Sequence, residues 1–285
     1  MKKLLALLLS VALLLTFAAC NKSDDKATEP ADDATEPTEE AVKTRMDKIK
    51  EAGVLVVGTS ADYPPFEFHA EIDGKDTITG YDMMIGKYIA DSLGVELQIE
   101  DMSFDGLLIS LQEDKFDIVL AGMSENPERS LAADFSIETI TMDWAVVIRK
   151  ADEAKYNDWL ADFGDTIIGV QNGTVYKIAA SKMTGESDVV ELATFPDLVI
   201  DLQNGTIDAI VANEMTTKAY ASGNEDLISK NVGIVSDEPG QAAAIMKGQP
   251  EWMAYINAQI TEMEANGSLA TFIAEAEALA IHAEE

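Results

Sequence analysis

Cysteine, histidine and basic residues are scarce in this chain, and each scarcity removes a class of function. One residue of 285 is cysteine, Cys20, and two are histidine, His69 and His282. A single thiol allows no internal disulfide, and so few soft ligands leave no His/Cys metal site to assemble. With neither a nucleophile pair nor a metal cluster in the sequence, no catalytic group and no cofactor is expected. Lys and Arg total 20 against 52 Asp and Glu, a formal charge of −32. That balance argues against nucleic acid as a partner, whose affinity comes largely from cationic contacts to phosphate. It also disfavours docking of the folded body on an anionic membrane, and otherwise serves solubility. Past the first residues, no apolar run approaches the ~20 residues that a membrane-spanning helix needs.

The N-terminal segment carries the first positive signal. Lys2 and Lys3 precede an uncharged, leucine-rich run from Leu4 to Ala19, which ends in Ala18-Ala19-Cys20. The run is short for a membrane span and has the layout of a signal peptide over residues 1–19. Its end resembles a lipobox, in which the signal is cut before Cys20 and the thiol carries diacylglycerol. Phe17 stands where that pattern more often has Leu; plain signal cleavage beside an incidental cysteine is the alternative. Residues 20–44 are rich in Asp, Glu, Thr, Ala and Pro, with Thr-Glu-Pro at both Thr28 and Thr35. Low hydrophobicity and high charge predict a disordered acidic linker. The expected location is the extracellular face of the cell membrane, lipid-anchored, or its periplasmic side where an outer membrane exists.

The body beyond is long enough for two lobes with separate cores. Val54 to Gly58 reads as a buried strand. Gly80-Tyr81-Asp82 opens a helix with apolar spacing at Met84, Tyr88 and Leu93, stopped by Gly94; Val95, Leu97 and Ile99 then alternate as a strand. This βαβ rhythm predicts a mainly parallel sheet covered by helices. Residues 104–121 align without gaps to residues 195–212, with identities at Phe104/Phe195, Leu107/Leu198, Ile109/Ile200, Leu111/Leu202, Gln112/Gln203, Asp117/Asp208 and Ala121/Ala212. Two copies of a helix–turn–strand unit predict two similar α/β lobes, although such units can also look alike by chance. In open α/β sheets ligands sit beyond the carboxyl ends of the strands, so both copies point toward one cleft.

Candidate binding residues lie at those strand ends. Asn126-Pro127 reads as a helix start, which puts Arg129 in a first turn where the dipole disfavours a cation. A bound carboxylate gripped by the guanidinium and by backbone N–H groups near Ser124 would answer that charge; so would a surface salt bridge to Glu125 or Glu128. In the other lobe Ile167 to Val170 reads as a strand and Val175 to Met183 as a helix. Thr174 of Gln171-Asn-Gly-Thr174 is its candidate N-cap, and its free N–H groups could meet the same carboxylate; an ordinary turn is the alternative. Tyr63 and Phe66, on a loop stiffened by Pro64 and Pro65, could wall an apolar slot with Phe104, or cap the core beneath the loop. Asp62, Asn213 and Glu214 are oxygen-bearing candidates for an ammonium group, or solvated polar side chains.

Taken in order, 58–67 (Gly-Thr-Ser-Ala-Asp-Tyr-Pro-Pro-Phe-Glu), Gly80-Tyr-Asp82, Phe116-Asp-Ile-Val119, 122–129 (Gly-Met-Ser-Glu-Asn-Pro-Glu-Arg), Asp134-Phe-Ser136, Gly173-Thr174 and 204–209 (Asn-Gly-Thr-Ile-Asp-Ala) resemble the family 3 extracellular solute-binding proteins of polar amino-acid ABC importers. The resemblance runs from about Gly53 to Ala278. It implies a two-lobed periplasmic-binding-protein-like fold of type II with two hinge crossings, lobe one at 45–147 plus 240–285 and lobe two at 148–239. It implies that Arg129 holds a ligand α-carboxylate, helped by backbone N–H groups at Ser124 and Val175. Ser60, Tyr63, Phe66 and Phe104 would line the pocket, beside the stretch Gly122-Met123-Ser124 and Gly173-Thr174. Asn213 departs from the family, which usually has an acid there for the α-ammonium; Glu214 or Asp62 could take that part. Ser60 stands where members binding cationic side chains often have Asp, which weighs against arginine, lysine or histidine. The implied partners are a free amino acid and a membrane permease, with a monomer expected. A cyclohexadienyl-dehydratase-like enzyme, with Asp62 or Glu214 as its acid, and a ligand-sensing module remain alternatives.

Overall fold

The computed structural model describes residues 43–235 and 238–282; the expected signal peptide, Cys20 and nearly all of the acidic linker lie outside them. Thr44 starts helix α1 (Arg45–Ala52) with a reciprocal cap, its hydroxyl accepting from Asp47 N and the Asp47 carboxylate accepting from Thr44 N. Strand β1 (Val54–Thr59) follows, then a small antiparallel sheet of β2 (Asp62–Tyr63), β3 (Glu67–Ile72) and β4 (Lys75–Thr79). Helix α2 (Tyr81–Leu93) spans the predicted residues and stops where Gly94 turns left-handed at φ 72°. Then come β5 (Glu96–Asp101), α3 (Leu107–Gln112), β6 (Ile118–Val119), α4 (Arg129–Ala132), β7 (Ala133–Ile140) and β8 (Trp144–Arg149). The second half runs β9 (Ile168–Gln171), α5 (Tyr176–Thr184), β10 (Val189–Leu192), α6 (Phe195–Asn204), β11 (Ala209–Asn213), α7 (Glu214–Ser222) and β12 (Leu227–Lys230). Strand β13 (Gln241–Met246) and helices α8 (Pro250–Ala265) and α9 (Ser268–His282) complete it.

The two large sheets have the same plan. One runs β5-β1-β6-β13-β7, the other β10-β9-β11-β8-β12. In each, three parallel strands are followed by one antiparallel strand, β13 or β8, and then by an edge strand that pairs antiparallel to it, so that the last two pairings are antiparallel. The sheets are therefore mixed rather than mainly parallel. The antiparallel strands next to the parallel set are β13 and β8, and each is the strand on which the chain arrives from the other sheet. Local βαβ rhythm cannot reveal such strands.

The repeat seen in the sequence is a repeat of structure. Strand β6 follows the first copy's helix and pairs with β1; β11 follows the second copy's helix and pairs with β9. The shared aspartate does one job in both. Asp117 N donates to Val56 O while its carboxylate accepts from Val56 N and from Arg45 Nη1 at 3.0 Å. Asp208 N donates to Ile167 O while its carboxylate accepts from Ile167 N and from Arg149 Nη2 at 2.8 Å. Each aspartate thus ties its own turn to the neighbouring parallel strand, at Val56 within β1 and at Ile167 just before β9, and to an arginine by a charge-assisted bond. A glycine in that strand receives the large apolar side chain just before the aspartate. A Cβ on Gly58 would overlap the Phe116 ring, and one on Gly169 would lie 2.6 Å from Ile207. Gly58→Ala is expected to lower stability by ~1–3 kcal/mol through overpacking, read as a lower midpoint in urea unfolding with an unchanged slope.

Apolar residues are fully buried against both sheets, Leu55, Val57, Ile85 and Ile118 at the first and Val146, Ile148, Ile168 and Val170 at the second, and they join in one continuous hydrophobic cluster. No helix among the described residues is long and apolar enough to cross a membrane. What the plan does for function is geometric: β1, β6 and β9 send their carboxyl ends to one crevice, and β11 ends behind it, where Asn213 N donates to Tyr63 Oη.

Candidate functional site

The crevice is lined by Ser60, Asp62, Tyr63, Glu67, Phe104, Gly122, Ser124 and Arg129 from one side and by Gln171, Thr174, Val175 and Tyr176 from the other. Arg129 is 8% exposed. Asn126 Oδ1 accepts from Arg129 N at 2.8 Å, as a cap would, but α4 has only four residues and so little macrodipole. Burial, not a helix dipole, is what makes the guanidinium need an anion. It donates to Ser124 O at 2.6 Å and to Gly173 O at 2.9 Å and lies 5.2 Å over the Phe104 ring. No carboxylate of the described residues lies within ion-pair distance of it. Burial pulls its pKa down to about 10, against the pull of the Tyr176 hydroxyl and of Glu238 and Glu128. A buried cation bonded to carbonyl oxygens and stacked on a ring keeps positive charge that these partners do not neutralise.

Thr174 does not cap α5. Its hydroxyl donates back to Gln171 O at 2.7 Å, and the helix starts after Val175 with no side-chain cap. The uncapped N–H groups of this turn open beside Arg129. Gly173 brings the two sides close: an added Cβ would sit 3.1 Å from Asp105, and its φ of 75° suits glycine. Asn172 Nδ2 donates to Asp105 Oδ2 at 2.7 Å across the rim.

Two tyrosines meet across the crevice, Tyr63 Oη donating to Tyr176 Oη at 2.9 Å, with Asn213 N donating to Tyr63 Oη. Asp62 also bridges, its carboxylate accepting from Gln171 Nε2 at 3.1–3.2 Å and from Phe195 N at 2.9 Å. Burial raises its pKa despite these bonds.

Other sequence candidates stand apart from the lining. Phe66 is fully buried behind Tyr63, with ring centroids 6.0 Å apart, and packs edge-on to Tyr81. Met123 is in the core with Leu107 and Phe116. Asn213 is 1% exposed, and its side chain caps α7 by accepting from Thr216 N at 2.9 Å. Glu214 turns to Lys218 at 3.1 Å, one helical turn on.

The acids that face the crevice include one the sequence reading passed over. Glu67 is 1% exposed, and neither carboxyl oxygen receives a donor among the described residues. It converges with the Asp82 carboxyl on Gly122, whose N donates to Asp82 Oδ2 at 2.7 Å and on which an added Cβ would sit 3.5 Å from Glu67 Oε1. Burial first, then Asp82 and Asp62, push Glu67 well above the usual carboxylate range, and burial raises Asp82 to about 6. No cluster of three metal-type ligands exists among the described residues. The crevice therefore presents a buried cation together with buried acids, bounded by tyrosines and Phe104.

The sequence profile of the bacterial extracellular solute-binding proteins, family 3, matches residues 55–275. The arginine-binding extracellular protein ArtP of Bacillus subtilis is 28% identical over 226 residues, 75% of this chain and 82% of that protein. The crystal structure of the amino-acid ABC transporter substrate-binding protein AbpA of Streptococcus pneumoniae, bound to L-arginine, superposes with a TM-score of 0.78 at 32% identity, covering 82% of this chain and 99% of that one. A cyclohexadienyl dehydratase of Pseudomonas aeruginosa is 32% identical over 143 residues, which is 50% of this chain and 52% of the dehydratase.

Proposed function

This chain belongs to the bacterial extracellular solute-binding proteins, family 3, and from that premise we propose that it captures a free cationic amino acid, with arginine the best fit, between two closing lobes and delivers it to an ABC permease. The observation that carries the reading is that, in one crevice, a buried Arg129 has no carboxylate partner and a buried Glu67 has no donor among the described residues. An α-carboxylate satisfies the first and a guanidinium the second. Between them the aliphatic part of the ligand runs beside Tyr63 and Phe104. Ser60 weighed against a cationic ligand in the sequence; Glu67, seven positions on, supplies the charge that Ser60 does not. Asp62 takes the α-ammonium, since Asn213 is committed to α7 and Glu214 to Lys218.

Closure works because the anion-binding parts are divided. Arg129 and Ser124 belong to the β1–β6 side, and the Val175 turn belongs to the β9–β11 side. A ligand that bonds both prefers the closed form and shifts the population toward it. The moving bodies are the two lobes expected at 45–147 plus 240–285 and at 148–239, with the first boundary moved from 147 to 143 because the pairing of β8 with β11 and β12 supports counting all of that strand with the second lobe. Lipid attachment at Cys20, a cleaved signal peptide, a monomeric state and placement on the outer face of the membrane complete the proposal.

A thermal-shift screen of the twenty amino acids tests it. Arginine at a hundredfold excess over its Kd is expected to add ~2.7 kcal/mol of stability by mass action, the largest shift in the set. No shift with any amino acid would contradict the reading. A binding role rather than catalysis is proposed because the best-covered relatives are binding proteins. The buried Glu67 would suit a general acid in a dehydratase-like enzyme, so incubation with prephenate and arogenate is the control, and turnover of either would favour the enzyme.

A further inference from the structure

Glu67 and Asp82 form a buried carboxyl pair with one feature that ligand binding alone does not explain. Glu67 opens β3 and Asp82 lies in the first turn of α2; they are 1% and 3% exposed. Asp82 is satisfied by Gly122 N, but Glu67 has no donor among the described residues. An ionised carboxylate only accepts hydrogen bonds. Two such acceptors facing each other out of water satisfy each other only when one proton lies between them. The charged and titratable groups around the pair do not supply a cation to replace that proton. Asp62 on β2 and Asp101 at the end of β5 add negative charge. His69, two residues along β3, is turned to Asp76 at 3.0 Å and is 3.8 Å from Asp101. Tyr63, Tyr81 and Tyr176 are hydroxyls held well in their neutral range by burial. Arg129 shares the crevice but is bonded to Ser124 O and Gly173 O.

We propose that Glu67 and Asp82 hold one shared proton in the open cleft and release it to solvent when a cationic side chain docks on Glu67, so that a cationic amino acid is bound in exchange for a proton and a neutral one is not. This rests on the cationic-ligand reading above. In the exchange the Glu67 O–H bond breaks, the electron pair stays on the carboxylate that now faces the guanidinium, and the proton leaves to water or buffer. The guanidinium takes the proton's place as donor to Glu67, the member of the pair that lines the crevice. A neutral side chain such as that of citrulline, isosteric with arginine but uncharged, offers amide donors without displacing the charge. Asp82 touches no ligand in this scheme: it is a positioning residue that keeps Glu67 protonated until a cation arrives.

Raised carboxyl pKa values fix the sign. Below the pair's pKa the proton competes with the ligand; above it the site is already ionised, so affinity for arginine rises with pH and then levels off. The test is calorimetry of the whole mature chain with L-arginine and with L-citrulline at pH 5, 6, 7 and 8, each in two buffers of different ionisation enthalpy. Arginine is expected to release close to one proton at pH 5–6, with Kd falling by up to about tenfold per pH unit there. Citrulline is expected to release none, with a flat Kd. Asp82→Asn, whose amide donates to Glu67 and whose oxygen still accepts from Gly122 N, is expected to bind arginine with little proton release and a flattened pH profile. Arginine binding with the same enthalpy in both buffers and a flat Kd across the range would overturn the exchange while leaving the cationic-ligand reading intact. Absence of arginine binding at every pH would overturn both.

Discussion

Arg129→Ala is expected to lose amino-acid binding while the protein stays folded. The guanidinium has no carboxylate partner among the described residues, so its removal leaves no buried anion behind there; what it exposes is Ser124 O and Gly173 O at the crevice wall, where water can reach them. The ligand, by contrast, would have to bury its α-carboxylate with only backbone N–H donors. Truncating one partner of a buried, hydrogen-bonded charge pair typically costs ~2–5 kcal/mol, which at the middle of that range is roughly three-hundredfold in Kd. Arg129→Lys separates charge from geometry. It keeps the cation but loses the planar fork and the stacking on Phe104, and an intermediate loss of ~10–100-fold is expected. Titration calorimetry reads both variants, with circular dichroism as the check on folding. Unchanged affinity in Arg129→Ala would remove the α-carboxylate from this end of the crevice.

The second large effect belongs to Glu67→Gln. Gln keeps the shape, can donate to Asp82, and cannot ionise. Arginine affinity is expected to fall by ~10–100-fold, the worth of one charge-assisted bond of ~1.5–3 kcal/mol, while citrulline affinity changes little. The same substitution has an opposite effect on the free protein. Glu67 is held well above its ordinary 4.5 by burial and by Asp82 and Asp62. A raised acid means that the folded state binds its proton more tightly than the unfolded chain does. Its contribution is then complete below pH 4.5 and is lost as pH rises through the folded-state value. Wild-type protein without ligand is therefore expected to lose stability between pH 5 and pH 8, and Glu67→Gln to lose less. Urea midpoints at the two pH values measure the difference. An identical decline in both proteins would locate the pH dependence elsewhere.

Much of this architecture was legible because it is periodic or repeated. The identity of Asp117 and Asp208 looked like one match among several; in the structure each aspartate ties a strand end to an arginine in the same way. The mixed sheets were not legible, because β8 and β13 are ordinary apolar strands until their long-range partners are known. Arg129 was found from its place after Asn126-Pro127, although the physical reason differs: a four-residue helix has no dipole worth opposing, and burial supplies the cost. Phe66 and Met123 were expected at the ligand and lie in the core, since an aromatic after two prolines reads alike in either place. Gln171 and Tyr176 were missed because a strand's last residue and a helix's apolar position announce packing, not a crevice. Glu67 and Asp82 stood inside quoted motifs without a role. The available signal was that each acid flanks an otherwise apolar or aromatic element, at Phe66-Glu67-Phe68 and at Tyr81-Asp82-Met83, where a carboxylate is costly unless something answers it.

A crystal structure of the mature protein grown with L-arginine tests the two-ended grip most directly. The expected map has the ligand carboxylate on the Arg129 guanidinium and the N–H groups of the Val175 turn, and the ligand guanidinium against Glu67. Arginine bound anywhere else, with Arg129 still donating to Ser124 O and Gly173 O alone, would contradict it.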